Sequence, residues 1–442
     1  MEKIKKFIAK NLEDIVSLDL RALAFFRIFL GSVMLIDMLD RLKDVNIFYV
    51  DGGVGVGSSV SRLFINDSFS LNNLFPTSPA FQAFILILGV VFAVLLIFGF
   101  KTRISTILLW IIVVSVQNRN TIIGQGGDDY MRVLLFWSML LPLGLRYSYD
   151  YLRNRTEYNK YENKFVSPVN IGLIFQVVYL YYFSALSKSS PIWNRDFTAI
   201  YYALSLDIFV TWLGRILLTL RPLLKPLTAF VYYLELYAGG LLIFPAYNWI
   251  LRTIGILLII MLHMGIGTTL DVGPFPWIAI CGVLSLMPTQ AIDLAIKKLS
   301  KSKKIMWFIY SLKISTLKGK LAKLFPEKVS KIKKVRNFNT LTIFGTLLIS
   351  IITFSFTFVG YIWNSNNNKS NFELPSDVRK VFTFVRMDQR WAMFAPYPFT
   401  DDGWYVILGH TVSGKTESLF GSSVKTDFNG FPDNYSQDFK NE

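Results

Sequence analysis

Long apolar stretches alternate with short polar ones along most of the chain. Runs near 21–39, 79–100, 104–120, 130–146, 169–187, 226–245, 250–268 and 341–363 approach the length of a membrane crossing. A crossing takes roughly 20 mostly apolar residues, because only an internally hydrogen-bonded helix can hide its backbone from hydrocarbon. Two further runs, 199–221 and 274–288, are ambiguous. In the first, Asp207, Thr211, Arg215 and Thr219 recur every four residues among Ile, Leu, Phe, Tyr and Trp. That stripe suits one helix lying along the outer membrane surface. The alternative is a re-entrant 274–288, whose length corresponds to only about 23 Å of helix.

Lysine and arginine in short loops mark the cytoplasmic side. Lys3, Lys5, Lys6 and Lys10, then Lys101 and Arg103, then Arg146, Arg153, Arg155, Lys160 and Lys164, and finally the 297–336 loop all fall there, while Lys188 falls outside. Four candidate runs separate Lys188 from residue 297, and an even number of crossings cannot change sides. One therefore does not span, and the polar stripe selects 199–221. The expected fold is an all-α polytopic membrane bundle of about nine transmembrane helices plus one interfacial helix, with the amino terminus inside. After the polar linker Asn364 to Asn371, residues 372–442 contain short aromatic and β-branched runs, such as Val381–Val385 and Trp404–Leu408, separated by Gly and Pro. These predict a small C-terminal β-rich extracytoplasmic domain. The expected division is 1–20 cytoplasmic, 21–290 transmembrane, 291–340 basic loop, 341–363 last crossing and 364–442 outer domain. There is no heptad pattern and no repeat of solenoid or propeller length.

Composition narrows the class further. With 52% hydrophobic and 17% charged residues in 442, disorder, collagen and an ordinary cytosolic enzyme are excluded, and the lipid bilayer is the first expected partner. The net charge of +16 would normally suggest nucleic acid. Residues 297–336, however, hold 14 Lys and Arg against the single acid Glu327. The basicity belongs to one loop, and no nucleic-acid partner is expected. Cys281 is the only cysteine, so neither a disulfide nor a cysteine-based metal site can form within one chain. The first long apolar run begins only after Asp19, which reads as a retained anchor rather than a cleaved signal.

Ionisable groups near hydrocarbon are costly and are usually placed for a reason. Lys188 follows Phe183-Ser-Ala-Leu-Ser and precedes Pro191-Ile-Trp193 at the outer end of a crossing. Partial desolvation there would make its amine a usable base or nucleophile, whereas the plain alternative is a lysine that snorkels into water. His263 lies within the apolar Met261-Leu-His-Met-Gly. It suits a proton relay, ligand binding or an interhelical hydrogen bond, and without neighbouring ligands it predicts no metal. Glu235, in Tyr232-Tyr-Leu-Glu-Leu-Tyr, must be protonated or paired, with His263, Lys188 or a tyrosine as partner. The loop from Asn118 to Asp129 brings Arg119, Asp128 and Asp129, followed by Arg132, to the outer side. These residues either line a polar site or seal helix ends. Gly52-Gly-Val-Gly-Val-Gly57 lacks the strand, helix and lysine of a nucleotide loop and is rejected as one.

Several stretches, taken in order, resemble the HTTM (horizontally transferred transmembrane) or vitamin K-dependent γ-carboxylase-like membrane proteins. They are Arg21-Ala-Leu-Ala-Phe-Phe-Arg27-Ile-Phe-Leu-Gly31 with Phe48-Tyr-Val-Asp-Gly-Gly53, and Asn118-Arg-Asn120 with Gly127-Asp128. Next come Tyr182-Phe-Ser-Ala-Leu-Ser-Lys188 with Trp193, His263 with Gly273-Pro-Phe275-Pro276, and Gln389-Arg-Trp391-Ala-Met-Phe394-Ala-Pro396. The resemblance implies a reduced quinone, menaquinol or vitamin K hydroquinone, working with O2 and CO2 in base chemistry on a peptide or small substrate. Lys188 is similar in position to the family's basic lysine, and His263 to its intramembrane histidine. Glu235, Trp193, Arg119, Asp128 and Asp129 are then expected to orient substrate or cofactor. Two departures stand out: only about 80 residues follow the last crossing, and Gly126-Gly-Asp-Asp129 replaces a histidine-containing stretch. A competing expectation is a non-carboxylating factor for maturation or export of a secreted peptide precursor. A transporter is disfavoured, since no inverted repeat is visible. Either way, the expected location is the bacterial cytoplasmic membrane, with the C-terminal domain outside.

Overall fold

The computed structural model describes residues 11–54, 56, 69–73, 78–159, 162–301, 340–367, 374–400, 408–410 and 416–418. The protein is mostly helical, with two small antiparallel ribbons, Leu18–Asp19 against Lys164–Phe165 and Leu408–His410 against Thr416–Ser418. Among the described residues six helices are long and apolar enough to cross a membrane. They are Leu20–Lys43, Pro79–Phe98, Pro168–Ser187, Arg221–Ile243, Asn248–Thr269 and Gly345–Ser365, the last lying within Thr340–Asn367. Phe275–Leu284 and Thr289–Lys301 meet at a bend of 96° and would add a seventh if counted as one span. Thr102–Arg119 has 18 residues but polar ends, and Gly126–Leu140 has 15, or about 22 Å of helix.

Local chemistry sets several boundaries. Ser78 caps Pro79–Phe98 by accepting from the Phe81 N–H, with Pro79 in the first turn. The helix stops at Gly99, whose φ of 67° is left-handed. Here glycine is required twice over, because a Cβ would also collide with the Arg27 guanidinium. Arg27 is fully buried and donates to the carbonyls of Leu96, Ile97 and Tyr147, at 2.9, 3.0 and 2.6 Å. It satisfies acceptors that the end of a helix leaves open. Asp19 caps the first long helix through the Arg21 N–H and also pairs with the Arg21 side chain.

The chain divides into two compact units. One comprises Met1–Ser187, Leu234–Met264 and Gly273–Met393; the other comprises Lys188–Tyr233, Gly265–Val272 and Phe394–Glu442. In the first, Leu20–Lys43 packs on Pro79–Phe98, that helix on Thr102–Arg119, and Thr102–Arg119 on Gly126–Leu140; Pro168–Ser187 packs on Thr340–Asn367. Lipid offers no hydrophobic reason for helices to associate, so close packing and polar contacts must hold them. Gly172 provides one such contact by receiving the Trp137 ring, which any Cβ would strike.

Three expectations change. Residues 199–221 do not form one surface helix: Ala199–Ser205 and Trp212–Thr219 are separate. The expected stripe is consumed in local structure. Thr211 caps the second helix, Asp207 pairs with Arg215 at 2.8 Å, and Val210 bridges to Leu270. The Val381–Val385 run is not a strand, since Ser376–Phe384 is helical. Pro375 stands at its start, and Phe382 stacks on Phe356 and packs on Trp363, so packing overrides β propensity. The polar linker begins later than expected, because the last long helix continues to Asn367. The basic loop from 302, the lysines before residue 11 and residues 404–407 of the second β-like run lie outside the described residues, as does all of 419–442.

Candidate functional site

In the first unit, Pro168–Ser187, Leu234–Ile243 and the middle of Asn248–Thr269 carry polar groups on otherwise apolar helices. His263 is buried, and its Nε2 shares a hydrogen bond of 3.1 Å with the Tyr181 hydroxyl, which is buried as well. The imidazole ring is flanked by Tyr181 and, edge-on, by Phe275. One turn from Tyr181 on the same helix, the Ser184 hydroxyl donates to Glu235 Oε2 at 3.1 Å, and Glu235 is also buried. Two side-chain pairs, imidazole with phenol and alcohol with carboxyl, therefore stem from neighbouring turns of Pro168–Ser187. Such a set can hold or pass a proton in surroundings that exclude water.

A second polar layer surrounds the start of Gly126–Leu140. Asp128 is 1% exposed and accepts from Gln117 at 3.2 Å and from the Gln125 N–H at 3.1 Å, while pairing with Arg41. Arg41 also pairs with Asp37 and donates to the Tyr49 hydroxyl. Burial, opposed by Arg41, raises the Tyr49 phenol above the usual tyrosine range. Asp129 pairs with Arg132 at 2.8 Å. Arg119 turns elsewhere, to the Tyr49 carbonyl and to Asp51.

A third layer comes from far along the chain. Arg132, 1% exposed, donates to the carbonyls of Arg386 and Asp388 and to the Gln117 side chain. Gln176 and Gln389 join through their side-chain amides at 2.6 Å, and Trp391 Nε1 donates to Gln389 at 3.0 Å. Burial and, secondarily, the neighbouring Arg132 pull Arg386 below the usual arginine range.

In the second unit, the Lys188 ammonium lies 4.9 Å from the centre of the Trp193 ring, and both residues are buried. Trp193 Nε1 donates to the Phe394 carbonyl at 2.9 Å. Lys188 thus stands over an aromatic face that is itself fixed to the chain just after Met393.

The structure brings His263 together with Tyr181, Glu235 with Ser184, and Lys188 with Trp193. It sends Arg119, Asp128 and Asp129 to three different ionic partners. Sequence reasoning missed Tyr181, Ser184, Gln176 and Arg41. The i, i+4 pair Asp37 and Arg41 near the end of an apolar helix was the available signal for the last. Among the described residues no three His, Cys, Asp or Glu are grouped to hold a metal. No family model, curated protein or solved structure matches the chain.

Proposed function

We propose that this chain is a vitamin K-dependent carboxylase-like integral membrane protein of the HTTM type. In this reading it has nine crossings and carries out base chemistry on a peptide or small substrate at the outer face of the bacterial cytoplasmic membrane. The observation that carries the reading is the buried Tyr181–His263 hydrogen bond beside the Ser184–Glu235 pair. Ionisable groups are expensive in helices of this hydropathy, and here Tyr181, His263 and Glu235 are all buried, with Ser184 as the partner of the last.

In this reading a reduced quinone would lie against the Phe275 and Tyr181 rings, with His263 bonding one of its hydroxyls. When bound, the quinone would supply, with O2, the strong base to which a substrate proton is transferred before CO2 is added. His263 would hold a proton at Nε2 and return it through the Tyr181 hydroxyl. Glu235, held by Ser184, would orient a polar group of the substrate. The apolar helices around them would exclude water, which keeps each of these interactions strong.

In a direct test, the purified protein is supplied with menaquinol or vitamin K hydroquinone and air, and quinone epoxide is measured. Wild type is expected to form it, and His263→Ala to lose at least tenfold. Equal background product in both overturns the reading.

One observation favours the alternative of a non-carboxylating factor for peptide maturation or export. Lys188 packs on Trp193, and Trp193 is tied to Phe394, so this lysine has a structural use. Under that alternative Lys188→Ala still supports peptide output whenever the protein folds.

A further inference from the structure

Within the first unit, Phe275–Leu284 packs on both Leu20–Lys43 and Gly126–Leu140, and Thr289–Lys301 then departs from it at 96°. The turn falls level with the starts of two long helices. Pro288 and Thr289 share a cleft with Asp19, which caps Leu20–Lys43, and with Asn248, the first residue of Asn248–Thr269. Arg21 bonds Asp293 at 2.7 Å on the same level. Aligned helix starts mark one face of a membrane bundle. A helix that leaves at right angles there runs along the bilayer surface rather than through it.

The residues of this helix suit that position. Ile292, Ala295, Ile296 and Leu299 recur at i, i+3, i+4 and i+7 and form one stripe, with Leu294 the one large apolar residue off it. Ile292 is buried, but Ile296 and Leu299 are 45% and 48% exposed, so the described residues leave the outer half of the stripe open. Lys297 and Lys301 lie on the opposite side and Lys298 at its edge, all of them exposed. The one acid, Asp293, is taken up by Arg21, and the stretch from Leu294 to Lys301 carries a charge of +3. Such a helix can dip its stripe among acyl chains while its ammonium groups stay among the phosphates. At the bilayer surface, lipid is the apolar phase nearest to the open stripe, and phosphate is the charge that complements its lysines.

We infer that Thr289–Lys301 is an interfacial helix that binds anionic phospholipid, with Ile296 and Leu299 in the acyl boundary and Lys297, Lys298 and Lys301 holding the head groups. Each lysine beside an anionic leaflet is worth about fivefold in binding, so three together discriminate against zwitterionic lipid. This binding needs only that the bundle sits in a bilayer, and it stands or falls apart from the quinone chemistry.

Cys281, the only native cysteine, is fully buried, so in full-length protein carrying Ile296→Cys or, separately, Lys297→Cys a bimane label reaches the introduced thiol alone. The labelled proteins are placed in phosphatidylcholine nanodiscs containing, at equal mole fraction, either doxyl-labelled phosphatidylglycerol or doxyl-labelled phosphatidylcholine. Quenching by the acyl-chain doxyl group is compared with quenching by iodide from the water. The label at 296 is expected to be quenched by lipid and shielded from iodide, and the label at 297 to behave in reverse. At 296 the phosphatidylglycerol should quench about fivefold more effectively than the phosphatidylcholine. Adding Lys297→Gln, Lys298→Gln and Lys301→Gln should abolish that preference. All these positions are exposed, so the variants are expected to keep the wild-type thermal midpoint. Iodide reaching 296 as readily as 297 overturns the interfacial placement. A label at 296 shielded from both quenchers gives the face to a second copy or another protein and overturns it too. Equal quenching by the two doxyl lipids, or a preference that survives loss of the lysines, removes the anionic-lipid site.

Discussion

Arg27 shows how a single residue can fasten three parts of the chain. Its guanidinium satisfies the carbonyls at the end of Pro79–Phe98 and one at Tyr147. Arg27→Leu, matched for helix propensity, leaves these acceptors buried without their donor, at a cost of about 3 kcal/mol. A lowered thermal midpoint in detergent is expected, with unchanged helix content at low temperature. Gly99→Ala should act on the same joint, because it forces both a left-handed alanine and a collision with Arg27. The two changes share one contact, so the double variant should lose less than the sum of the single losses. None of this was legible beforehand: Arg27 appeared only as a letter in a resembling motif, and nothing near it in sequence identified carbonyls about 70 residues away.

Among the elements, the ribbon of Leu18–Asp19 with Lys164–Phe165 ties the entry of the first long helix to that of Pro168–Ser187. Lys164 also reaches Asp14 at 2.7 Å and Glu13 at 3.0 Å. Burial lowers its pKa, but these hydrogen bonds and charges outweigh burial, so the folded value stands above the ordinary 10.5. The stability it contributes is thus fully present below about pH 10.5 and is lost as the pH rises through the folded pKa. Thermal midpoints of wild type and Lys164→Met should differ at pH 8 and draw together only as the pH rises beyond 10.5; a constant gap would refute the assignment. Elements with long apolar runs were plain in the sequence, because twenty consecutive apolar residues have few other uses. Shorter ones were not. The 199–221 and 381–385 segments were misread because caps, an ion pair and aromatic stacking decided their form, and periodicity records none of these.

For the molecule as a whole, helical character and multiple apolar spans followed from composition and run length alone. The candidate site was half legible. His263 and Glu235 stood out as ionisable residues among apolar neighbours, whereas Tyr181 and Ser184 did not, since hydroxyls are common in such helices. The nine-crossing arrangement predicts that reporters fused after Ser311 and after Gly421 lie on opposite sides of the membrane. A substituted-cysteine or glycosylation assay checks this, and finding both on one side removes the arrangement. A separate consequence concerns synthesis. Arg252 holds the carbonyls of Ile15 and Ser17, and the first of these contacts spans 237 residues. At translation rates of about 5–20 residues per second, the start of the chain must wait roughly 10–50 s for that partner to emerge. During that interval an insertase or chaperone has a reason to attend the newborn amino-terminal helix.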